Sequence, residues 1–131
     1  MEIQNSKTRL ISSKHFNLED RTLFFAVQVR SFVKKLPKTI ANLEDGAQLI
    51  RSSGSVGANY IEANEALSKK DFYHRIKICR KEAKESRYWL RLVDVNSQLE
   101  LDAERKILIQ EAYELMKIFG SILEKDVSKI F

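Results

Sequence analysis

The sequence predicts an all-α fold: an antiparallel up-down four-helix bundle. Three observations carry this. Apolar residues recur at alternating spacings of four and three along four separate stretches, the period of one face of a helix. Four Gly and one Pro in 131 residues are too few for a turn-rich β fold. The connections between the periodic stretches are short, which makes consecutive helices antiparallel neighbours.

Residues 1–16 mix polar, basic and apolar types without a sustained period and read as a loose tail; residues 17–131 form the bundle domain. Asn17 is the N-cap of the first helix, with Asp20 three residues on. Phe25, Val29, Phe32 and Leu36 form its seam. Leu23, Phe24, Val27 and Val33 widen the apolar face, so this helix is expected to be buried on more than one side. Pro37 ends it.

The second helix starts between Thr39 and Asn42. Its expected seam is Leu43, Ala47, Ile50, Gly54, Gly57, Ile61 and Asn64, with Leu49, Ser53, Val56 and Tyr60 as a second face of mixed character. Ser52-Ser53-Gly54-Ser55 is a poor helix former, and each glycine costs about 1 kcal/mol against alanine in a helix interior. The alternative is a loop splitting this segment in two. The unbroken period favours one helix, whose glycines admit a close neighbour.

Ser68 caps the third helix, with Asp71 as the third residue after it. The seam runs Phe72, Ile76, Cys79, Ala83, Ser86, Leu90, Val93, and the helix is expected to end between Asn96 and Glu100. Asp102 is then expected to cap the fourth helix, with Glu104 in its first turn. Its seam is Leu108, Ala112, Leu115, Phe119, Ile122.

A domain of this size buries roughly 65–70% of the surface its unfolded chain exposes, so it needs no disulfide or metal to hold it. Cys79 is the single cysteine, which suits a reducing cytoplasm. No apolar run approaches the roughly 20 residues of a membrane span, and the N-terminus lacks the apolar core of a signal peptide.

The third helix carries more apolar surface than one seam buries. Ile78, Trp89, Leu92 and Val95 lie to one side of its seam and are expected to form an oligomer interface; closed cyclic symmetry is the default for such contacts. The same helix carries a basic stripe. Lys70, Lys77, Lys84 and Arg91 repeat at intervals of seven, with Arg80 and Arg87 on the adjoining row. Residues 68–98 hold nine Lys/Arg and four Asp/Glu, a local excess equal to the formal net charge of +5 of the whole chain, whose pI is near 9.4. Such a row can neutralise phosphates, and Tyr73 beside it can stack on a base. The competing readings are a solvated face or ion pairs to a neighbouring subunit. A polar row, Arg51, Ser55, Asn59 and Glu62, is expected to form a buried or interfacial hydrogen-bond network.

Other chemistry finds little support. Gly54-Ser-Val-Gly57 has the G-x-x-G spacing of a KH loop but not the strands around it. Asp71-x-x-His74 is one imperfect copy of a bundle di-iron motif that needs Glu-x-x-His twice. Cys79 lies on the seam and reads as a small core residue. Arg9 and His15 have the spacing of a HEPN-type RNase but lie in the tail. No catalytic residue, metal or cofactor is assigned, and no enzymatic activity is expected.

Gln48, Leu49, Arg51, Ser52, Ser55, Val56, Asn59, Glu62 and Ala63, followed by Phe72, Lys77, Glu82, Glu85, Trp89 and Leu90, resemble the signature of the 23S rRNA intervening-sequence protein family. The resemblance covers roughly residues 17–125. It implies a four-helix bundle assembled as a ring-like homopentamer, similar in fold to the accessory protein of diversity-generating retroelements, a basic pentameric barrel that engages a reverse transcriptase and nucleic acid. Two functional classes follow: a non-enzymatic oligomer that binds RNA or DNA through its basic face, and a protein-interaction scaffold with no nucleic-acid role.

Overall fold

The computed structural model describes residues 17–125, which form four helices: α1 (Leu18–Lys34), α2 (Ile40–Asn64), α3 (Lys69–Leu92) and α4 (Leu99–Glu124). The tail 1–16, with Arg9 and His15, lies outside the described residues. Three helices have side-chain N-caps: Asn17 and Ser68 are the expected ones, and Thr39 falls at the start of the expected window for α2. Asn17 Oδ1 accepts the Asp20 N–H at 2.8 Å, Thr39 Oγ1 that of Asn42 at 3.1 Å, and Ser68 Oγ that of Asp71 at 3.0 Å. Each satisfies an amide that a helix start leaves without a partner.

Consecutive helices run antiparallel. Asn64, at the end of α2, donates to Glu19 at the start of α1, and Asn42, at the start of α2, is bonded to Asp94 just beyond α3. The packing between α2 and α3 and between α3 and α4 is the most extensive; α1 and α4 close the bundle. That thinner contact is bridged by ion pairs. Arg21 donates two hydrogen bonds to the Glu111 carboxylate, at 2.7 and 2.9 Å, and Lys35 pairs with Glu104 at 2.5 Å. The core is filled by Phe25 and Phe32 of α1, Leu49 and Val56 of α2, Ile76 and Leu90 of α3, and Leu115 and Phe119 of α4.

α2 is one uninterrupted helix through its serines and glycines. Ser52 and Ser53 donate their hydroxyls back to the Leu49 and Ile50 carbonyls, so neither leaves a buried polar atom unsatisfied. Its inward face is not the expected one. The buried residues are Asn42, Gly46, Leu49, Ser52, Ser53, Val56 and Ala63, whereas Leu43 is 59% and Ile61 51% exposed. Two strips on α2 share the same spacing, and the less apolar one turns inward. Small side chains there let α3 come close enough for the Ser52 and Ser86 hydroxyls to share a hydrogen bond of 2.9 Å. The glycines serve α1 instead: a Cβ on Gly57 would lie 2.9 Å from Thr22 Oγ1. α1 also buries only one stripe, leaving Leu23 62% and Val27 52% exposed.

The connection between α3 and α4 differs from expectation. α3 stops at Leu92, and Asn96 and Ser97 adopt left-handed backbone (φ 56° and 60°) that turns the chain. α4 then starts at Leu99 behind Gln98, which makes no side-chain cap bond. Asp102 is not a cap; it lies within the first turn and pairs with Arg105 and Lys106. The turn is held from α2. Asn42 donates to the carbonyls of Pro37 (3.0 Å) and Asp94 (2.9 Å) and accepts the Asp94 N–H (2.9 Å). Arg105 adds a hydrogen bond to the Val93 carbonyl at 2.6 Å.

Candidate nucleic-acid interface

Residues seven apart on a helix are separated by close to two full turns, so Lys70, Lys77, Lys84 and Arg91 share one exposed side of α3. Four α3 cations, Lys77, Arg80, Lys81 and Lys84, line a groove of about 620 Å³ against α4. From α4 the groove takes Lys117, with Met116 and Gly120 beneath. Among the described residues, Glu124 is the single carboxylate in its wall. A Cβ on Gly120 would meet the Arg80 stem at 3.9 Å, an ordinary van der Waals contact, so the floor has room for a methyl where Arg80 crosses. Lys70 and Arg91 flank the groove along α3 without lining it. Lys81 and Lys117 were not singled out from the sequence. Lys117 joins α3 only through the register of α3 against α4, which spacing within either helix does not encode.

The remaining members of the stripe behave differently. Tyr73 is half-buried against the core and meets Phe72 edge-on at 5.1 Å, so it is not the free stacking surface expected of it. Arg87 is half-buried with its guanidinium 5.5 Å from the centre of the Tyr113 ring, and Lys117 Nζ lies 5.1 Å from the same ring. Tyr113 thus holds two cations at the groove edge by their attraction to its π face. Arg87 Nε is buried and has no hydrogen-bond acceptor among the described residues.

The polar row is split in two, and each half has its own partner on α3. Asn59 donates to the Ser55 carbonyl (2.9 Å) and hydroxyl (3.1 Å) and accepts from Arg75 at 2.9 Å. Arg51 reaches Glu82 at 3.8 Å and Glu85 at 3.7 Å. Glu62 is exposed and joins neither half. Glu82 was missed as a site residue because it lies between seam positions; it is 6% exposed, and its Oε1 has no hydrogen bond. Burial raises its carboxyl pKa above the usual range, the neighbouring Glu85 adds to this, and Arg51 opposes it.

The expected interface on α3 is not one surface. Val95 is 6% exposed and belongs to the core, because α3 ends before it and the chain turns inward. Ile78 is half-buried, and Trp89 packs on the core with Tyr88 edge-on at 5.0 Å. Leu92 alone is well exposed. Cys79 is fully buried, and desolvation pushes its thiol up to about 12. Among the described residues there is no cluster of His, Cys, Asp or Glu fit to hold a metal ion, and no helix is long and apolar enough to cross a membrane.

Comparison with curated proteins gives no match. Among solved structures, the chain is similar to a protein of unknown function from the S23 ribosomal protein family of Bacteroides thetaiotaomicron. The two share 30% sequence identity at a TM-score of 0.73, over 83% of this chain and 100% of that one. The profile of the family described as 23S rRNA-intervening sequence protein matches residues 14–121, which take in all of α1, α2 and α3 and most of α4. The chain belongs to the 23S rRNA-intervening sequence protein family.

Proposed function

We propose that this protein is a non-enzymatic homo-oligomer, a pentamer by the family resemblance, that binds the backbone of RNA or DNA in the groove between α3 and α4. The observation that carries the reading is the convergence of five cations from two helices on one groove, with one carboxylate in its wall among the described residues. Lysines dominate the groove, and groups suited to reading base edges are scarce, so its chemistry is phosphate neutralisation and positioning rather than sequence selection. Non-specific affinities of this kind are about 10⁻⁴–10⁻⁶ M per module at physiological salt. Several copies on one strand raise the effective affinity by about 10²–10⁴ where the geometry permits. A lone buried thiol suits a reducing cytoplasm as the place of action.

The test is parallel binding of a fluorescent single-stranded RNA, heparin and an acidic peptide at low and physiological salt. Binding of RNA and heparin that weakens steeply with salt, without binding of the peptide, supports the reading. Binding of the peptide alone moves the protein to the scaffold class.

A further inference from the structure

The strip Leu43, Ala47, Ile50, Gly54, Gly57, Ile61 has the spacing of a helix face that packs along its length against another helix. Its outer residues instead meet solvent, beside the exposed Leu23 and Val27 of α1. The result is an apolar face over two adjoining grooves that share Arg30. Soluble monomers rarely leave a contiguous apolar patch of this kind uncovered.

The charges around this face bear on what covers it. Where α1 begins and α2 ends, the rim is acidic, with Glu19, Asp20 and Glu65; where α1 ends, it is basic, with Arg30, Lys34 and Lys38. α4 begins level with that basic end, as the Lys35–Glu104 ion pair shows. There it carries Glu100 beside the exposed Leu99 and Ile107, while Glu104 is held by Lys35 of its own chain. A copy set alongside in the same orientation therefore brings an acidic, apolar helix start onto a basic, apolar groove.

We propose that the α1–α2 face docks a second copy of this chain through that copy's α4, with Leu99 and Ile107 on the strip and Glu100 toward Lys34 and Lys38. The contact joins two different surfaces, so it builds a ring where the rotation between successive copies closes. It leaves the basic groove open. Leu99 and Ile107 lie in the first half of α4, whereas the groove uses Met116, Lys117 and Gly120 in its second half. The inference rests on the homo-oligomer reading above and relocates its interface away from Ile78, Trp89, Leu92 and Val95.

Light scattering of the full chain at micromolar concentration, with circular dichroism as a folding control, tests it. Leu43→Glu with Ile61→Glu, both at exposed positions, is expected to give folded monomer, an apparent affinity weakened about 10²-fold or more. Leu92→Glu is expected to leave the assembled mass unchanged. Lys34→Glu with Lys38→Glu should weaken assembly, and adding Glu100→Lys should restore part of it. A monomeric wild type removes the oligomer reading together with this surface. An oligomeric wild type whose mass survives Leu43→Glu/Ile61→Glu overturns the surface alone. Should that variant lose its helical signal, an unchanged mass in Lys34→Glu/Lys38→Glu overturns it equally.

Discussion

Replacing Gly57 with alanine probes the crossing of α1 and α2 with a single carbon. The new Cβ would lie 2.9 Å from Thr22 Oγ1 and 3.2 Å from Thr22 Cβ, closer than the two helices can tolerate unmoved. Thr22 is buried, and its hydroxyl donates to the Glu19 carbonyl at 2.9 Å, so it moves only by giving up that bond. Overpacking costs about 1–3 kcal/mol, and a lost hydrogen bond about 1 kcal/mol. Alanine returns about 1 kcal/mol of helix propensity. The net is a destabilisation of about 1–3 kcal/mol, a fall in melting temperature of roughly 4–11 °C for a chain of this size. Thermal unfolding by circular dichroism, at one protein concentration throughout, reads it. Thr22→Ala in the same chain should recover part of the loss, since it removes the atom that clashes, and the two changes should couple by at least about 0.5 kcal/mol. Gly54→Ala is the internal control. Its Cβ would meet only the guanidinium end of Arg30, at 3.3 Å, which can swing aside, so that variant should melt at or above wild type. If Gly57→Ala melts no lower than Gly54→Ala, the close-crossing argument is wrong.

Glu82→Gln should stabilise the protein by about 1 kcal/mol at pH 7.5, because burying an unsatisfied carboxylate oxygen costs about 1–3 kcal/mol and the pair with half-exposed Arg51 offsets only about 0.2–1 kcal/mol. The pH dependence has a definite sign. The folded pKa of Glu82 is raised, so the native state holds the proton to higher pH than the unfolded chain and this group's penalty grows as pH rises from about 4.5 through the folded value. The gap between variant and wild type should therefore close as pH falls toward 4.5; a gap independent of pH contradicts the assignment. Cys79 should react with a thiol reagent at the rate of global opening, since it is fully buried and its thiol is pushed up to about 12. Labelling of native protein as fast as that of a free thiol would refute this.

Features that depend on local chemistry were legible in the sequence. The caps at Asn17 and Ser68 need only a side-chain oxygen and an amide three residues on. The seams of α1 and α3 were read correctly because in each the four–three row is the row the bundle buries. α2 misled because it has two stripes of equal period. Hydropathy selects Leu43, Ile50 and Ile61, but the inward choice was made by closeness, which Ser52 and Ser86 allow and larger side chains forbid. The end of α3 was placed too late because the turn rests on left-handed Asn96 and Ser97 and on Asn42, 52 residues from Asp94 in sequence. The basic stripe was visible as a heptad repeat. The groove was not, since Lys117 and Gly120 come from another helix. The two exposed strips of α1 and α2 were read as core for the same reason their chemistry matters: apolar residues at helical spacing look alike whether they face the inside of one chain or the surface of the next.

Salt dependence of single-stranded RNA binding is the most direct measurement of the central claim, taken on wild type and on Lys77→Gln/Lys84→Gln/Lys117→Gln. All three lysines line the groove and lie off the apolar core, so the variant should fold and assemble as wild type does. Five groove cations on five phosphates predict a slope of log affinity against log salt of roughly −3.5 for a single strand. Removing three should flatten it by about 2 and weaken binding to every sequence alike. Wild type that binds no RNA at low salt, or a variant whose slope equals that of wild type, would contradict the account.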